Sequence, residues 1–157
     1  MPVWVRTLVF TFVVPGTFAV YLPSSIIVQE QGAYRPAGDW WWLGALPLAL
    51  GVAGYVWCAW DFTFAGRGTP LHLDAPRKLV VRGLYRYVRN PMYVSVWWVM
   101  LGHAALFASR NVLLYALCFW LAFHLFVLLY EEPALRAKFG AEYDGYCHRV
   151  PRWLPRL

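Results

Sequence analysis

The run NVLLYALCFWLAFHLFVLLY, residues 111–130, decides the fold class of this chain. It contains no Asp, Glu, Lys or Arg, and it matches the ~20 apolar residues that an α-helix needs to cross the hydrocarbon core of a bilayer. Three more apolar runs approach that length, at residues 4–22, 40–60 and 91–108. The sequence therefore predicts an all-α integral membrane protein with about four transmembrane helices.

Two interruptions of the apolar pattern predict local geometry. Pro15-Gly16 lies inside the first run and predicts a kink there. Only Ser109-Arg110 separates the last two runs. These two runs are therefore predicted to form a tight antiparallel hairpin.

The composition supports the same fold class. Of the 157 residues, 61% are hydrophobic and 14% are charged, whereas soluble domains average ~45–50% and ~25%. A soluble domain of this size could not bury so much apolar surface, but lipid can solvate it. The ten Trp suit the membrane interface. The length leaves room for a single membrane domain over residues 1–157.

The positive charge is gathered on one side of the predicted bundle. The net charge is +6, and twelve of the fourteen basic residues, all but Arg35 and Arg110, lie at the start of the first run or in residues 61–90 and 131–157. Loops rich in Lys and Arg tend to stay in the cytoplasm. We therefore expect a cytoplasmic loop at 61–90, a cytoplasmic helical tail at 131–157, and both termini in the cytoplasm. No extended soluble basic face remains to hold nucleic acid.

The first polar cluster is GLYRYVRNPMY, residues 83–93. Pro91 is well placed as the first residue of the third span, with Asn90 as its N-cap. Free backbone N–H groups at that helix start, with Arg86 and Arg89 nearby, could bind a carboxylate or a phosphate. The alternative is a capped helix whose arginines extend to the lipid headgroups.

The second polar cluster is Glu131-Glu132-Pro133, just past the fourth run. Pro133 disfavours helix at Glu132, which predicts a bend and a new helix start. Two adjacent carboxylates could bind a cation or a diol such as the ribose hydroxyls. The alternative is a solvated helix start, where acidic side chains complement the helix dipole.

A third cluster follows in the tail. Leu135, Phe139, Tyr143 and Tyr146 are spaced four, four and three residues apart, which predicts one apolar stripe on a helical segment broken near Gly140. Such a stripe is usually core packing. Here it could equally place the tail as a lid across the cytoplasmic ends of the spans.

The histidines and cysteines indicate no metal site. His103 and His124 lie inside the last two runs, where a histidine usually bonds to neighbouring helices. The cysteines are odd in number and show no paired spacing, so neither a disulfide framework nor a zinc motif is predicted. They are Cys58, Cys118 and Cys147.

Taken in order, these clusters resemble the membrane methyltransferase family that includes isoprenylcysteine carboxyl methyltransferases and phospholipid N-methyltransferases. The resemblance covers the last half of the chain, from Leu79 to Pro155. The matching residues are the segment 83–93 and, after a helical hairpin, Glu131-Glu132, Leu135, Phe139-Gly140, Glu142-Tyr143, Tyr146 and Val150-Pro151.

The resemblance implies transfer of a methyl group from S-adenosylmethionine to a lipophilic or membrane-associated acceptor at the cytoplasmic face. The cofactor would lie between the Asn90-Pro91 turn and the Glu131-Glu132 bend, roofed by the tail, and the acceptor would enter from the bilayer. No covalent nucleophile is needed, because methyl transfer from a sulfonium mainly requires alignment of the reactants and exclusion of water. The cofactor-binding residues so implied are Tyr85, Arg86, Arg89, Asn90, Pro91, Tyr93, Glu131, Glu132, Tyr143 and Tyr146.

Two departures from the family pattern bear on the chemistry. Many relatives have His at the position of Asn90, and Asn cannot titrate near neutrality. Relatives that act on prenylcysteine carboxylates tend to have Arg just before the acidic pair, whereas this chain has Tyr130. A prenylcysteine acceptor is therefore disfavoured.

Two other functions remain open from the sequence. One is an NADPH-dependent membrane reductase of the sterol-reductase type, and the other is a non-catalytic membrane protein. The identity of the acceptor, the atom that is methylated and the oligomeric state are not fixed by these patterns.

Overall fold

The computed structural model describes residues 2–66 and 79–156. These parts are helical and contain no β-strand. The predicted loop at 61–90 is described only in part, because residues 67–78 lie outside the described ranges. The α-helices are α1 (Val3–Val13), α2 (Leu22–Gln31), α3 (Trp42–Asp61), α4 (Pro91–Leu106), α5 (Arg110–Phe126), α6 (Glu132–Phe139) and α7 (Ala141–Arg149).

Short π-helical turns extend three of these helices. In the described chain, three continuous helices are long and apolar enough to cross a membrane, Val3–Gln31, Trp42–Phe64 and Arg110–Phe139. The first is much longer than the predicted run at 4–22, because the π turn Gly16–Tyr21 joins α1 to α2 directly after Pro15. The helix therefore continues to Gln31, beyond the end of the predicted apolar run.

The predicted helix with Pro133 near its start is present as α6, but α6 continues the last long helix, Arg110–Phe139, without a break. The π turn Val127–Glu131 immediately precedes α6, in which Pro133 occupies the first turn. Proline cannot donate the backbone hydrogen bond of its helical turn. A π turn shifts the hydrogen-bond register by one residue and so accommodates that missing donor without ending the helix.

Helix α4 has 16 residues and is shorter than each of the three long continuous helices. At ~1.5 Å per residue, it reaches less far than the ~30 Å of a hydrocarbon core. It is also strongly enclosed by protein, with Val96, Val99 and Met100 all buried. A fourth span is thus not established by length and composition.

Glycines bring α3 and α4 into close contact. A Cβ on Gly44 would clash with the backbone nitrogen of Leu106, and one on Gly51 would lie 2.6 Å from the carbonyl oxygen of Ser95. From the other helix, a Cβ on Gly102 would lie 2.6 Å from the Cβ of Leu48. Such small-residue seams let helices in lipid pack at short range, and this seam fixes α3 against α4.

The loops after α2 and α4 lie together at one end of the bundle. The Gln31 side chain donates to the carbonyl oxygen of Phe107 at 2.6 Å, and the backbone N–H of Ala37 donates to that of Leu106 at 3.0 Å. The predicted hairpin is present, and its second helix is capped by Ser109, whose hydroxyl oxygen accepts from the N–H of Val112.

The two ends of the chain lie at the opposite end of the bundle. Near the N-terminus, the Thr63 hydroxyl lies 3.0 Å from the Thr7 hydroxyl. At the other terminus, the backbone N–H of Arg89 donates to the carbonyl oxygen of Pro151 at 2.9 Å. The tail therefore covers the N-terminal end of α4.

The tail is organised by the apolar stripe that the sequence predicts. Tyr143, Tyr146 and Val150 form a buried cluster against which Leu135 and Phe139 pack. The break lies at Gly140, which separates α6 from α7. Its φ of 53° falls in the left-handed region that favours glycine. Both the stripe and its break are confirmed.

Candidate active site

A cavity of about 440 Å³ lies between the first long helix, α3, α4 and the last long helix. Its volume falls within the ~300–1,000 Å³ range of small-molecule sites. Its side chains divide into two groups. Polar side chains come from Tyr55, Tyr85, Arg89, Asn90, Tyr93 and Glu131, and the aromatic wall comes chiefly from Phe10, Phe18, Phe62, Phe119, Phe123 and Phe126.

Tyr93 and Glu131 form the polar centre of the cavity. Tyr93 lies in the first turn of α4, and Glu131 ends the π turn that precedes α6. The Tyr93 hydroxyl donates to Oε2 of Glu131 at 2.9 Å, and its ring lies 4.5 Å from that of Phe123. This contact orients a carboxylate toward the cavity, where it can bind a cationic or hydroxyl group of a ligand.

Glu132 belongs to a different structure, an ion cluster that anchors the tail. Nε and Nη2 of Arg152 donate to its two carboxylate oxygens at 2.6 and 3.0 Å, and Nη1 of Arg89 lies 3.1 Å from Oε1. The Glu132 side chain is 9% exposed. The cluster is bidentate and nearly buried, so it fixes the tail against the start of α4.

Arg89 connects this ion cluster to the cavity. Its Nη1 also lies 2.7 Å from Sγ of Cys147. Its Nε is buried and has no hydrogen-bond partner in the described structure, although the residue lines the cavity. Because Arg89 brings a cationic guanidinium to the lining of the cavity, it is suited to an anionic group of a ligand.

Asn90 occupies the predicted N-cap position of α4, but its side chain makes no capping hydrogen bond. Instead, its Nδ2 donates to the carbonyl oxygen of Arg152 at 3.3 Å. The expectation of a side-chain cap is therefore wrong, because the amide faces the tail that packs across the helix end. Asn90 is buried and still lines the cavity.

Half of the ten sequence-predicted site residues line the cavity. These are Tyr85, Arg89, Asn90, Tyr93 and Glu131. The other five lie elsewhere: Arg86 is exposed, Pro91 is buried in the first turn of α4, Glu132 is in the ion cluster, and Tyr143 and Tyr146 are in the core of the tail.

Tyr146 supports the site from outside it. Its hydroxyl donates to the backbone carbonyl oxygen of Tyr85 at 2.7 Å, which positions a residue of the cavity wall. Burial raises the pKa of the Tyr146 phenol above its ordinary value, so the group stays protonated as a donor at physiological pH. Burial likewise raises the pKa of Tyr143.

Sequence reasoning missed the wall that the first long helix contributes. Phe10, Val14 and Phe18 lie on one side of this helix and line the cavity. Phe18 also packs against Phe119, with ring centroids 5.6 Å apart. Aromatic residues are abundant throughout the chain, so composition alone gave no signal for these positions.

The two histidines bond to different partners. Nδ1 of His103 lies 3.0 Å from the carbonyl oxygen of Val99 in its own helix, which contradicts the predicted bond between helices. Nδ1 of His124 accepts a hydrogen bond from Nε1 of Trp153 at 3.0 Å, so this histidine holds the tail. In residues 2–66 and 79–156, no group of three His, Cys, Asp or Glu side chains could hold a metal ion.

Comparison with known proteins gives consistent matches. The family model described as phospholipid methyltransferase matches residues 40–142. A probable protein-S-isoprenylcysteine O-methyltransferase of Oryza sativa is 28% identical, over 92% of this chain and 75% of the rice protein. A methanethiol S-methyltransferase of Bradyrhizobium diazoefficiens is 28% identical, over 87% and 71%. The cobalt-zinc-cadmium resistance protein CzcN of Cupriavidus metallidurans is 33% identical, but over 73% and 49%.

Proposed function

This chain belongs to the phospholipid methyltransferase family and is an integral membrane methyltransferase, and we propose that it transfers a methyl group from S-adenosylmethionine to a lipophilic acceptor at the cytoplasmic face of the membrane. The observation that carries this proposal is one cavity lined both by polar side chains and by aromatic side chains. A polar cofactor and an apolar acceptor need both kinds of lining.

The polar side chains fit the charged groups of S-adenosylmethionine. Glu131, held by Tyr93, is suited to the amino group or the ribose hydroxyls. The guanidinium of Arg89, which lines the cavity, is suited to the carboxylate. The aromatic faces can hold a sulfonium through cation–π contacts of ~0.5–2 kcal/mol. When bound, the cofactor supplies an electrophilic methyl group.

The residues of the chain contribute alignment and exclusion of water. Glu131 and Arg89 lie on different elements, the last long helix and the segment before α4, so together they can hold two polar groups of a ligand. The wall of Phe10, Phe18 and Phe119 keeps the reaction region apolar. Such positioning accounts for much of the rate in displacement reactions whose donor is already activated.

The proposed cytoplasmic orientation is supported by the distribution of charge and by the shared location of the chain ends. Twelve of the fourteen basic residues belong to segments that the sequence assigns to the cytoplasm. Of these segments, the described tail covers the start of α4, beside the polar side chains of the cavity. We also propose that α4 is a fourth, short span, because protein covers both of its ends.

The decisive experiment is ligand binding followed by product identification. Detergent-purified protein should be stabilised against heat by S-adenosylhomocysteine, as any ligand of the native state stabilises. Incubation with S-adenosylmethionine labelled in the methyl group and total membrane lipid extract should then yield a labelled lipid. A folded sample whose melting curve does not shift at saturating S-adenosylhomocysteine would contradict the proposal. Stabilisation by NADPH instead would favour the reductase.

A further inference from the structure

Asp61, the last residue of α3, is 2% exposed although it carries a carboxylate. Burial of a charge is unfavourable unless a partner compensates it, and the negative end of the helix dipole adds to the cost at this position. Nε of Arg82 lies 2.9 Å from Oδ1 of Asp61. The Arg82 side chain is 59% exposed. A solvated guanidinium thus covers a buried acid and ties the segment before α4 to the end of α3.

The other carboxylate oxygen of Asp61 explains the glycine that follows Arg82. A Cβ on Gly83 would clash with Oδ2 of Asp61 and would lie 2.9 Å from Nε1 of Trp57. The φ of Gly83 is 56°, in the left-handed region that glycine adopts without a steric penalty. Residues 82 and 83 are therefore both fitted to the same buried carboxylate.

A single helical turn connects this contact to the cavity. The 3-10 turn Gly83–Arg86 follows directly, and the N–H of Tyr85 donates to the carbonyl oxygen of Arg82 at 3.1 Å. Tyr85 lines the cavity, as does Arg89 four residues later, whereas the ion pair itself does not. The positions of these two cavity residues therefore depend on where the segment begins.

The segment is held at two places by different parts of the molecule. The tail holds its middle and its end, where Tyr146 donates to the carbonyl oxygen of Tyr85 at 2.7 Å and the N–H of Arg89 donates to that of Pro151 at 2.9 Å. Helix α3 holds its start through Asp61. Because α3 also packs closely on α4, this second contact fixes the segment relative to the helices of the cavity.

We propose that Asp61 and Arg82 are positioning residues of the cofactor site. Their ion pair holds the start of the segment that carries Tyr85 and Arg89, and so it sets the fraction of molecules whose cavity is ready to bind the cofactor. The apparent affinity for a ligand falls in proportion to that fraction. This inference rests on the proposed function, and it assigns the two residues an effect on binding although neither lines the cavity.

Asp61→Asn tests the proposal by removing the charge while keeping the shape of the side chain. We expect the Kd for S-adenosylhomocysteine to rise about tenfold, the result of a tenfold smaller competent fraction. Calorimetric titration of folded, detergent-purified protein well below its melting temperature measures this change. Arg136→Gln is the matched control, because Nε of Arg136 pairs with Oδ1 of Asp144 at 2.7 Å on the surface of the tail. Its Kd should equal that of the wild type.

Variants of Arg82 keep the test decisive even if Asp61→Asn unfolds, because the Arg82 side chain is mostly exposed. Arg82→Gln should raise the Kd at least as much as Asp61→Asn. Arg82→Lys retains the charge at a contact that uses one nitrogen, so its Kd should stay within about threefold of the wild type. The double variant Asp61→Asn/Arg82→Gln should bind no more weakly than Asp61→Asn alone, and additive losses would contradict action as a pair.

Hydrogen exchange separates positioning from general stability. The N–H groups of Tyr85, Tyr87 and Val88 donate within the segment, so their exchange reports its order without any ligand. In Asp61→Asn they should exchange about tenfold faster, and in Arg136→Gln they should not change.

Two results would contradict the proposal in different ways. A lower melting temperature with normal affinity for S-adenosylhomocysteine in Asp61→Asn and Arg82→Gln would show that the ion pair is only structural, and would leave the proposed function intact. Wild-type protein that does not bind S-adenosylhomocysteine would instead overturn the proposed function, and the positioning role with it.

Discussion

Glu131 and Glu132 are neighbours in the sequence, but they serve two different regions of the molecule. Glu131 lines the cavity and accepts from Tyr93, whereas Glu132 is enclosed by Arg89 and Arg152 and anchors the tail. Consecutive helical residues point about 100° apart, so one residue step separates a ligand-facing carboxylate from a structural one. The pair shows that a motif can be recognised as a unit while its members have separate functions.

The largest expected effect is on stability, from Glu132→Gln. Removing one partner of a nearly buried ion cluster leaves Arg89 and Arg152 uncompensated, at a cost of ~3–5 kcal/mol in the free energy of unfolding. Urea or thermal unfolding of the ligand-free protein in detergent measures this loss. Arg136→Gln is the control, because its ion pair with Asp144 is exposed and its loss should not shift the unfolding curve.

Glu131→Gln should produce the opposite pattern. A carboxylate hydrogen bond to a charged or polar ligand group contributes ~1.5–3 kcal/mol, so the affinity for S-adenosylhomocysteine should fall about ten- to hundredfold. The melting temperature without ligand should barely change. Calorimetric titration of the two Glu variants side by side measures the contrast, and equal affinity losses in both would erase the distinction between the regions.

Tyr146→Phe tests whether the tail supports the cavity or only covers it. The change leaves the buried carbonyl oxygen of Tyr85 without the donor that lies at 2.7 Å, which should cost ~1–3 kcal/mol in unfolding free energy. Because Tyr146 itself does not line the cavity, the affinity of the folded protein for S-adenosylhomocysteine should change less than in Glu131→Gln. A larger loss of affinity than of stability would place Tyr146 in the binding site.

The smallest expected effect is that of Tyr93→Phe. The variant keeps the ring contact with Phe123 and removes only the hydroxyl that orients Glu131. One neutral hydrogen bond contributes ~0.5–1.5 kcal/mol, so S-adenosylhomocysteine affinity should fall about two- to tenfold. The double variant with Glu131→Gln should bind no more weakly than Glu131→Gln alone. Additive losses would instead mean that Tyr93 contacts the ligand independently.

Local patterns in the sequence were enough for the membrane class, the hairpin around Ser109 and the stripe of the tail, because each depends on residues close together along the chain. The same patterns did not show how far the helices continue past their prolines. Pro15 and Pro133 both lie in helices that continue, since adjacent π turns accommodate them. A proline signals a missing donor, but the sequence does not show how the backbone compensates.

The sequence by itself determined that this chain is an apolar helical membrane protein, and it predicted which polar residues could serve a methyltransferase site. Only the tertiary structure decided that the first long helix supplies Phe10 and Phe18 to the cavity. It also decided that Glu131 lines the cavity whereas Glu132 lies in the ion cluster. The physical reason is that hydrophobic periodicity defines a face of a helix but not its partner. Glycine contacts such as Gly44 against Leu106 fix which faces meet, and these contacts join residues far apart in the chain.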